Sequence, residues 1–238
     1  MMMQTPQDGF GGIAFLHTAP GHVATFGVLM TAMAPNIPLR QTVRADLLEA
    51  ARAAGGLTPA IAAQASAALE ELSANGARVV VCTCSTLGAC VPALRDRPWT
   101  RFLRIDTPMA EAAARIGGRL LVMATVAESL ASATALLKAT AAGQQRDIDV
   151  RGEVIADAWP LFAEGDRVGY RRAVVAAVRA ALARQAADAV VLAQASMAGA
   201  AEDLADLGVP VLSSPRPGVA QAIGVWRESS GDPAVARE

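Results

Sequence analysis

Apolar residues in this chain fall into short unbroken runs set between longer stretches that repeat with a helical period. Ile13-Ala14-Phe15-Leu16, Val79-Val80-Val81-Cys82, Leu120-Leu121-Val122-Met123 and Val190-Val191-Leu192 are the clearest runs. Runs of that length, closed by small polar residues, predict buried parallel strands. Ile37–Val43 and Phe102–Ile105 predict further strands. Between them the pattern predicts helices over Val23–Ala34, over Arg44–Ala54 up to the stop at Gly55-Gly56, and over Pro108–Ile116. Thr58-Pro59 reads as an N-cap with proline at the first helical position. The helix it opens keeps Ile61, Ala65, Ala68, Leu69 and Leu72 on one face and ends at Asn75-Gly76. A helix is also predicted from the polar residues after Cys84 to about Leu94.

The second half of the chain repeats the first. Ile13–Thr18 aligns with Leu120–Thr125, both runs ending in threonine, and Val80–Thr86 aligns with Val190–Ser196. Thr58 falls opposite Asp166, which opens a helix to about Ala187, and Ile105–Gly117 falls on Leu212–Gly224. The matches keep one order at an offset of about 107–110 residues, a drift that small loop insertions cover. Alternating strands and helices, duplicated, predict two similar α/β units facing each other across a cleft at the carboxyl ends of their central strands.

Composition narrows the function classes. More than half the residues are hydrophobic, yet no segment reaches the ~20 uninterrupted apolar residues of a spanning helix. Met1–Phe10 has no basic region followed by an apolar run, so no signal peptide is expected. The formal net charge is -1 and the basic residues are dispersed, which argues against a nucleic-acid or polybasic membrane surface. Three cysteines, two of them one residue apart, make no disulfide framework, and a cytoplasmic protein is expected. No glycine-rich nucleotide-binding fingerprint is present, and the two histidines form no zinc pattern with Cys82 and Cys84.

The stretch Arg78–Gly88 carries the strongest chemical signal. Its strand ends at a thiol followed by Ser85, Thr86 and Gly88, residues that start helices and expose backbone N–H groups. Cys84 is thereby predicted at a strand's carboxyl end beside a helix N-terminus, where ligands bind in open α/β sheets and where the field favours a thiolate. Cys82 and Cys90 read as small buried hydrophobes. His17 and His22 flank the loop after the first strand, and a histidine beside a thiol is one way to hold a thiolate. Arg40 and Arg44 are candidates for a substrate carboxylate or ordinary surface residues. Asp157–Phe162 reads either as a lid or as a packed connection.

The segments "FLHTAPGHVATF", "VVVCTCSTLG" and "AVVLAQASMAG…LGVPVLSS" together resemble the aspartate/glutamate racemase superfamily, which includes hydantoin racemases, maleate isomerase and arylmalonate decarboxylase. The resemblance covers nearly the whole chain. It implies two pseudo-symmetric flavodoxin-like (Rossmann-like) three-layer domains with parallel sheets and an interdomain active-site cleft. The first would span 1–109 plus 211–238, the second 110–210. It further implies cofactor-independent chemistry on a small carboxylate or amino-acid-like substrate, and a homo-oligomer. Family racemases use two thiols, one on each face of the substrate α-carbon. The first maps onto Cys84; the second maps onto Gln194, whose amide exchanges no proton near neutral pH. One thiol suits protonation after decarboxylation, covalent addition to an alkene, or proton transfer with another partner. All three pass through negative charge on oxygen, where one well-placed donor contributes roughly 3–4 kcal/mol. Thr18, Ser85, Thr86, Gln194 and Ser196 are the expected donors to substrate. Family racemases place an acid near the first-strand loop; none stands between Ile13 and Arg44, so His17 is expected to assist Cys84. Loss of one thiol also leaves open a ligand-binding protein that kept the fold without catalysis.

Overall fold

The structure, a computed structural model, describes residues 9–230. Met1–Asp8, where most of the signal-peptide reading falls, and 231–238 lie outside the described residues. The chain divides into two compact units. Unit 1 runs to Ile105 and resumes at Arg216, and unit 2 is Asp106–Pro215.

Unit 1 opens with β1 (Ile13–His17), α1 (Pro20–Met33), β2 (Leu39–Val43), α2 (Ala45–Ala53) and α3 (Pro59–Ala74). β3 (Val79–Cys82), the single-turn α4 (Ser85–Gly88), a 3-10 turn and β4 (Arg101–Arg104) follow. Unit 2 contains α5 (Thr107–Ile116), β5 (Gly118–Ala124), α6 (Ala127–Gly143), β6 (Ile148–Val154), α7 (Ala158–Ala163) and α8 (Arg167–Arg184). It ends with β7 (Ala189–Leu192), α9 (Ala200–Asp203) and β8 (Val211–Ser213), after which α10 (Pro215–Ser230) begins.

Each unit holds one four-stranded parallel sheet, ordered β2-β1-β3-β4 and β6-β5-β7-β8. The duplication extends to register. Ile13 pairs with Val79 in the first sheet, and their counterparts Leu120 and Ala189 pair in the second. Of the central strands, β1, β3 and β7 are buried at every position and β5 from Leu120 onward, which is why they carry unbroken apolar runs. In unit 2 alternate residues serve opposite faces. Leu121, Met123, Val190 and Leu192 pack with Val174 and Val178 of α8. Leu120, Val122, Ala189 and Val191 pack with Ala110 and Ala113 of α5 and with Ala133 and Leu137 of α6.

α3 follows the predicted pattern: Thr58 accepts the Ile61 N–H, and Ile61, Ala65, Ala68, Leu69 and Leu72 are buried. Elsewhere breakers move the boundaries. Proline at N1 starts α1 at Pro20, which puts His22 on a helix instead of in the loop. Pro38 lies outside β2, which starts at Leu39. The helix expected from Cys84 to Leu94 is only one α turn, followed by a 3-10 turn containing Pro92. β6 has no apolar run at all. It is an edge strand carrying Asp149, Arg151 and Glu153, the charged composition that discourages edge pairing.

Candidate active site

β1 and β3 are neighbours in the first sheet, but the chain leaves β1 for β2 on one side and β3 for β4 on the other. The connections therefore diverge beyond the carboxyl ends of this pair and open a crevice there. Thr18 follows β1, and Cys84 stands two residues past β3 as the N-cap of α4. Cys84 keeps an extended backbone (φ -98°, ψ 120°), and its carbonyl accepts the Gly88 N–H at 2.7 Å, closing the turn. Its side chain is 7% exposed, and Ser85, Thr86 and Thr18 around it are also buried. Sequence and fold thus bring Thr18, Cys84, Ser85 and Thr86 to one end of one sheet. Cys82 and Cys90 are buried in the same unit, and burial pushes the Cys90 thiol up against the opposing pull of Ser66 and Arg104.

His17 ends β1 and is fully buried. Its Nδ1 lies 2.8 Å from the Thr83 hydroxyl and its Nε2 3.0 Å from Oε1 of Gln41. The Thr83 hydroxyl donates to Leu16 O at 3.0 Å, which also accepts the Thr83 N–H, so towards Nδ1 the hydroxyl oxygen accepts. A neutral ring protonated on Nδ1 then accepts at Nε2, a contact the Gln41 amide satisfies with its nitrogen turned towards the ring. Burial, only partly opposed by the Gln41 hydrogen bond, lowers the His17 pKa to about 4. The imidazole is neutral at physiological pH with both nitrogens engaged, and it braces the residue next to Cys84.

Arg104, at the end of β4 opposite Cys82, is a functional candidate that sequence reasoning missed. It is buried, its Nη2 reaches the Ser85 carbonyl at 3.4 Å, and a Cβ on Gly88 would stand 3.1 Å from its Nε. Glycine at 88 leaves the guanidinium room behind the Cys84 turn. A buried arginine between the apolar Leu103 and Ile105 was the available signal.

Unit 2 builds the counterpart. Gln194 stands two residues past β7, as the N-cap of a 3-10 turn with extended backbone (φ -122°, ψ 141°). Its Oε1 accepts both the backbone N–H of Thr125 (2.5 Å) and the Thr125 hydroxyl (2.9 Å). A backbone N–H only donates, so the atom facing it is the amide oxygen and the Nε2 group points the other way. Ser196 is half-buried, and its hydroxyl lies 2.8 Å from that of Tyr170 on α8. Tyr170 was also missed. Burial raises its pKa, while its hydrogen bonds to Ser196 and Thr125 act the other way. It is the chain's only tyrosine, on the inward face of α8 with Val174 and Val178, where a hydroxyl needs a partner.

The other candidates have ordinary roles. Arg40 donates to Asn75 O and lies over the Phe10 ring, and Arg44 pairs with Asp46. His22 packs edge-on against Phe26. Asp157–Phe162 largely forms α7, a packed connection whose Phe162 ring lies 5.2 Å from Tyr170. A pocket of about 590 Å³ lined by Gly11, Gly76, Arg78, Trp99 and Arg101 lies at the amino ends of the unit 1 strands, away from Cys84. No helix among the described residues is long and apolar enough to cross a membrane.

Two parallel sheets of the same order, each with a small polar turn at its switch point, define a duplicated doubly wound α/β protein. Residues 22–222 match the Asp/Glu/Hydantoin racemase family model, and the chain belongs to that family. Among curated protein sequences none matches significantly. Three solved structures illustrate the shared fold. Glutamate racemase RacE1 from Bacillus anthracis superposes with a TM-score of 0.67 at 14% identity, over 95% of this chain and 84% of that one. Allantoin racemase from Pseudomonas fluorescens gives 0.58 at 20% identity, over 91% of each chain. Arylmalonate decarboxylase gives 0.57 at 16% identity, over 90% of this chain and 92% of that one.

Proposed function

We propose that this protein is a cofactor-independent carbon-acid enzyme that moves a proton at the α-carbon of a small carboxylate or amino-acid-like substrate through the single thiol of Cys84. The observation that carries the reading is the pairing of positions. Cys84 and Gln194 occupy equivalent sites past β3 and β7, and only the first can carry a proton. As thiolate, Cys84 takes a proton from carbon. As thiol, it gives one to the enediolate left when a carboxylate departs as carbon dioxide, the bonding pair staying on the substrate. Thr18, Ser85, Thr86 and the Gln194 amide supply donors to the charged oxygens. His17 is a positioning residue here: its neutral ring holds Thr83, and through it the Cys84 turn.

The test is proton NMR in deuterium oxide against amino acids, malonates, hydantoins and maleate, with wild type beside Cys84→Ala. The expected result is exchange, carbon dioxide loss or isomerisation with one of these, reduced at least about 100-fold in the variant. Iodoacetamide mapping should find Cys84 the fastest thiol. No reaction across the panel, with Cys84 labelled no faster than a model thiol, would leave a non-catalytic ligand-binding protein. That second reading is favoured only by glutamine standing where family racemases carry a thiol.

A further inference from the structure

At the amino ends of its strands, unit 1 gathers two arginines around one cavity. Arg78 leads into β3 and Arg101 opens β4, the neighbouring strand, and both line the pocket of about 590 Å³. The described part of the wall contains no carboxylate. Arg78 is half-buried and its guanidinium is fixed. Its Nη1 donates to Ser229 O at 3.0 Å, and a Cβ on Gly11 would stand 3.7 Å from its Nε. Among the described residues no acid pairs with it, and most of its N–H donors are left for another partner. Arg101 donates from Nη1 to Arg97 O at 2.9 Å, and its Nε lies 3.5 Å from an Asp96 oxygen. That ion pair is long and exposed, so it neutralises Arg101 only weakly. Pro98 and Trp99 add an apolar flank. The Trp99 indole N–H is buried with no acceptor among the described residues, an unfavourable state for a donor.

We propose that this pocket is a second binding site, for a small organic anion whose carboxylate or phosphate meets Arg78 and Arg101 and whose flat apolar body lies against Trp99 and Pro98. A fixed guanidinium fork is the group best suited to pair with an oxyanion, and the volume is that of a small-molecule site. The site is separate from Cys84. Arg78 precedes the first residue of β3 and Cys84 stands two past its last, so at ~3.3 Å per residue they lie roughly 20 Å apart along the strand. The inference does not depend on the chemistry assigned to the thiol.

The experiment is nitrogen-15 NMR of the full chain, titrated with phenyl phosphate and benzoate beside benzyl alcohol and inorganic phosphate. The readouts are the Trp99 indole N–H, assigned by its loss in Trp99→Phe, and the backbone amides of Gly11 and Gly76. Phenyl phosphate or benzoate should move these signals saturably, and the tighter of the two identifies the oxyanion. Benzyl alcohol lacks the charge and inorganic phosphate lacks the ring, so each should bind at least about 10-fold more weakly. Arg78→Met should weaken the tighter probe by a similar factor, and Arg78→Lys, which keeps the charge without the fork, should recover part of the loss. Arg78 also holds Ser229 O, so Arg101→Gln serves as a variant that leaves that contact alone; it too should weaken binding. Shifts that do not saturate, or that are confined to the Ser85 and Thr86 amides, overturn the proposal. So does binding unchanged in Arg78→Met and Arg101→Gln. Benzyl alcohol or inorganic phosphate binding as tightly as the ring anions also overturns it, since the pocket would then select no organic anion.

Discussion

His17 shows how burial decides what a side chain can do. The sequence places a histidine one strand away from a thiol, a pairing that suggests acid–base help. The structure closes both ring nitrogens with Thr83 and Gln41 and lowers the pKa from 6.5 to about 4, burial being the larger cause. The sign of the linkage follows. Between pH 4 and 6.5 the unfolded chain binds more protons at this site than the folded one, so stability rises with pH across that window. The contribution is fully present above 6.5 and is lost as pH falls towards 4; the loss is roughly 3 kcal/mol. Urea melts from pH 7.5 to 4.5 should show that slope in wild type and a flatter one in His17→Gln. Equal slopes would mean that the imidazole protonates in place without cost.

At the scale of elements, legibility followed the apolar pattern and failed where a residue acts through its polar atoms. β1, β3, β5 and β7 were readable because each carries a run of at least four buried apolar residues facing both sides of its sheet. The position of Cys84 was readable because small polar residues close the apolar run two residues past the strand and start a turn there. β6 was not, since half its face meets solvent and its charges imitate a loop. Tyr170 and Arg104 were not, since each matters through one hydrogen-bonding group aimed at a distant segment. α8 joins both kinds of information: its apolar face is periodic, and its first turn carries the Tyr170 hydroxyl. That turn is held by Asp166, whose Oδ1 accepts the Gly169 N–H at 2.8 Å and whose carbonyl accepts the Tyr170 N–H. Asp166→Ala should cost about 1 kcal/mol of stability. Hydrogen exchange should localise the fraying to Gly169 and Tyr170. Exchange unchanged at those amides would show that packing against Phe162 holds the turn without its cap.

At the scale of the whole molecule, the chain leaves unit 1 after β4, builds unit 2 as one continuous segment, and returns through α10. The return is built into unit 1 by several contacts of different kinds. Val219, Ala222 and Ile223 are buried. The Trp226 indole donates to Gly11 O at 2.6 Å, and Arg78 donates to Ser229 O at 3.0 Å. Gly218 comes so close that a Cβ there would stand 2.3 Å from Ile105 O. Unit 2 receives nothing comparable from its own far end: its strands and the helices on both faces are complete by Ser213. A chain ending at Pro215 should therefore lose the packing of unit 1 while unit 2 keeps its own. Removing the buried Val219 and Ile223 side chains, the Ala222 methyl and a half-buried indole costs several kcal/mol, at about 1.5–3 kcal/mol for each fully buried large side chain, against a total domain stability of roughly 5–15 kcal/mol. The cysteines report the outcome, since all three belong to unit 1 and are buried there, and burial pushes the Cys90 thiol up. In the full chain iodoacetamide should label Cys84 first and the others slowly. In the shortened chain all three should label at the rate of a model thiol, while the β5 and β7 amides of unit 2 stay protected from hydrogen exchange. Cys82 and Cys90 remaining slow in the shortened chain would show that unit 1 holds its core without α10, and the final helix would then be cover, not structure.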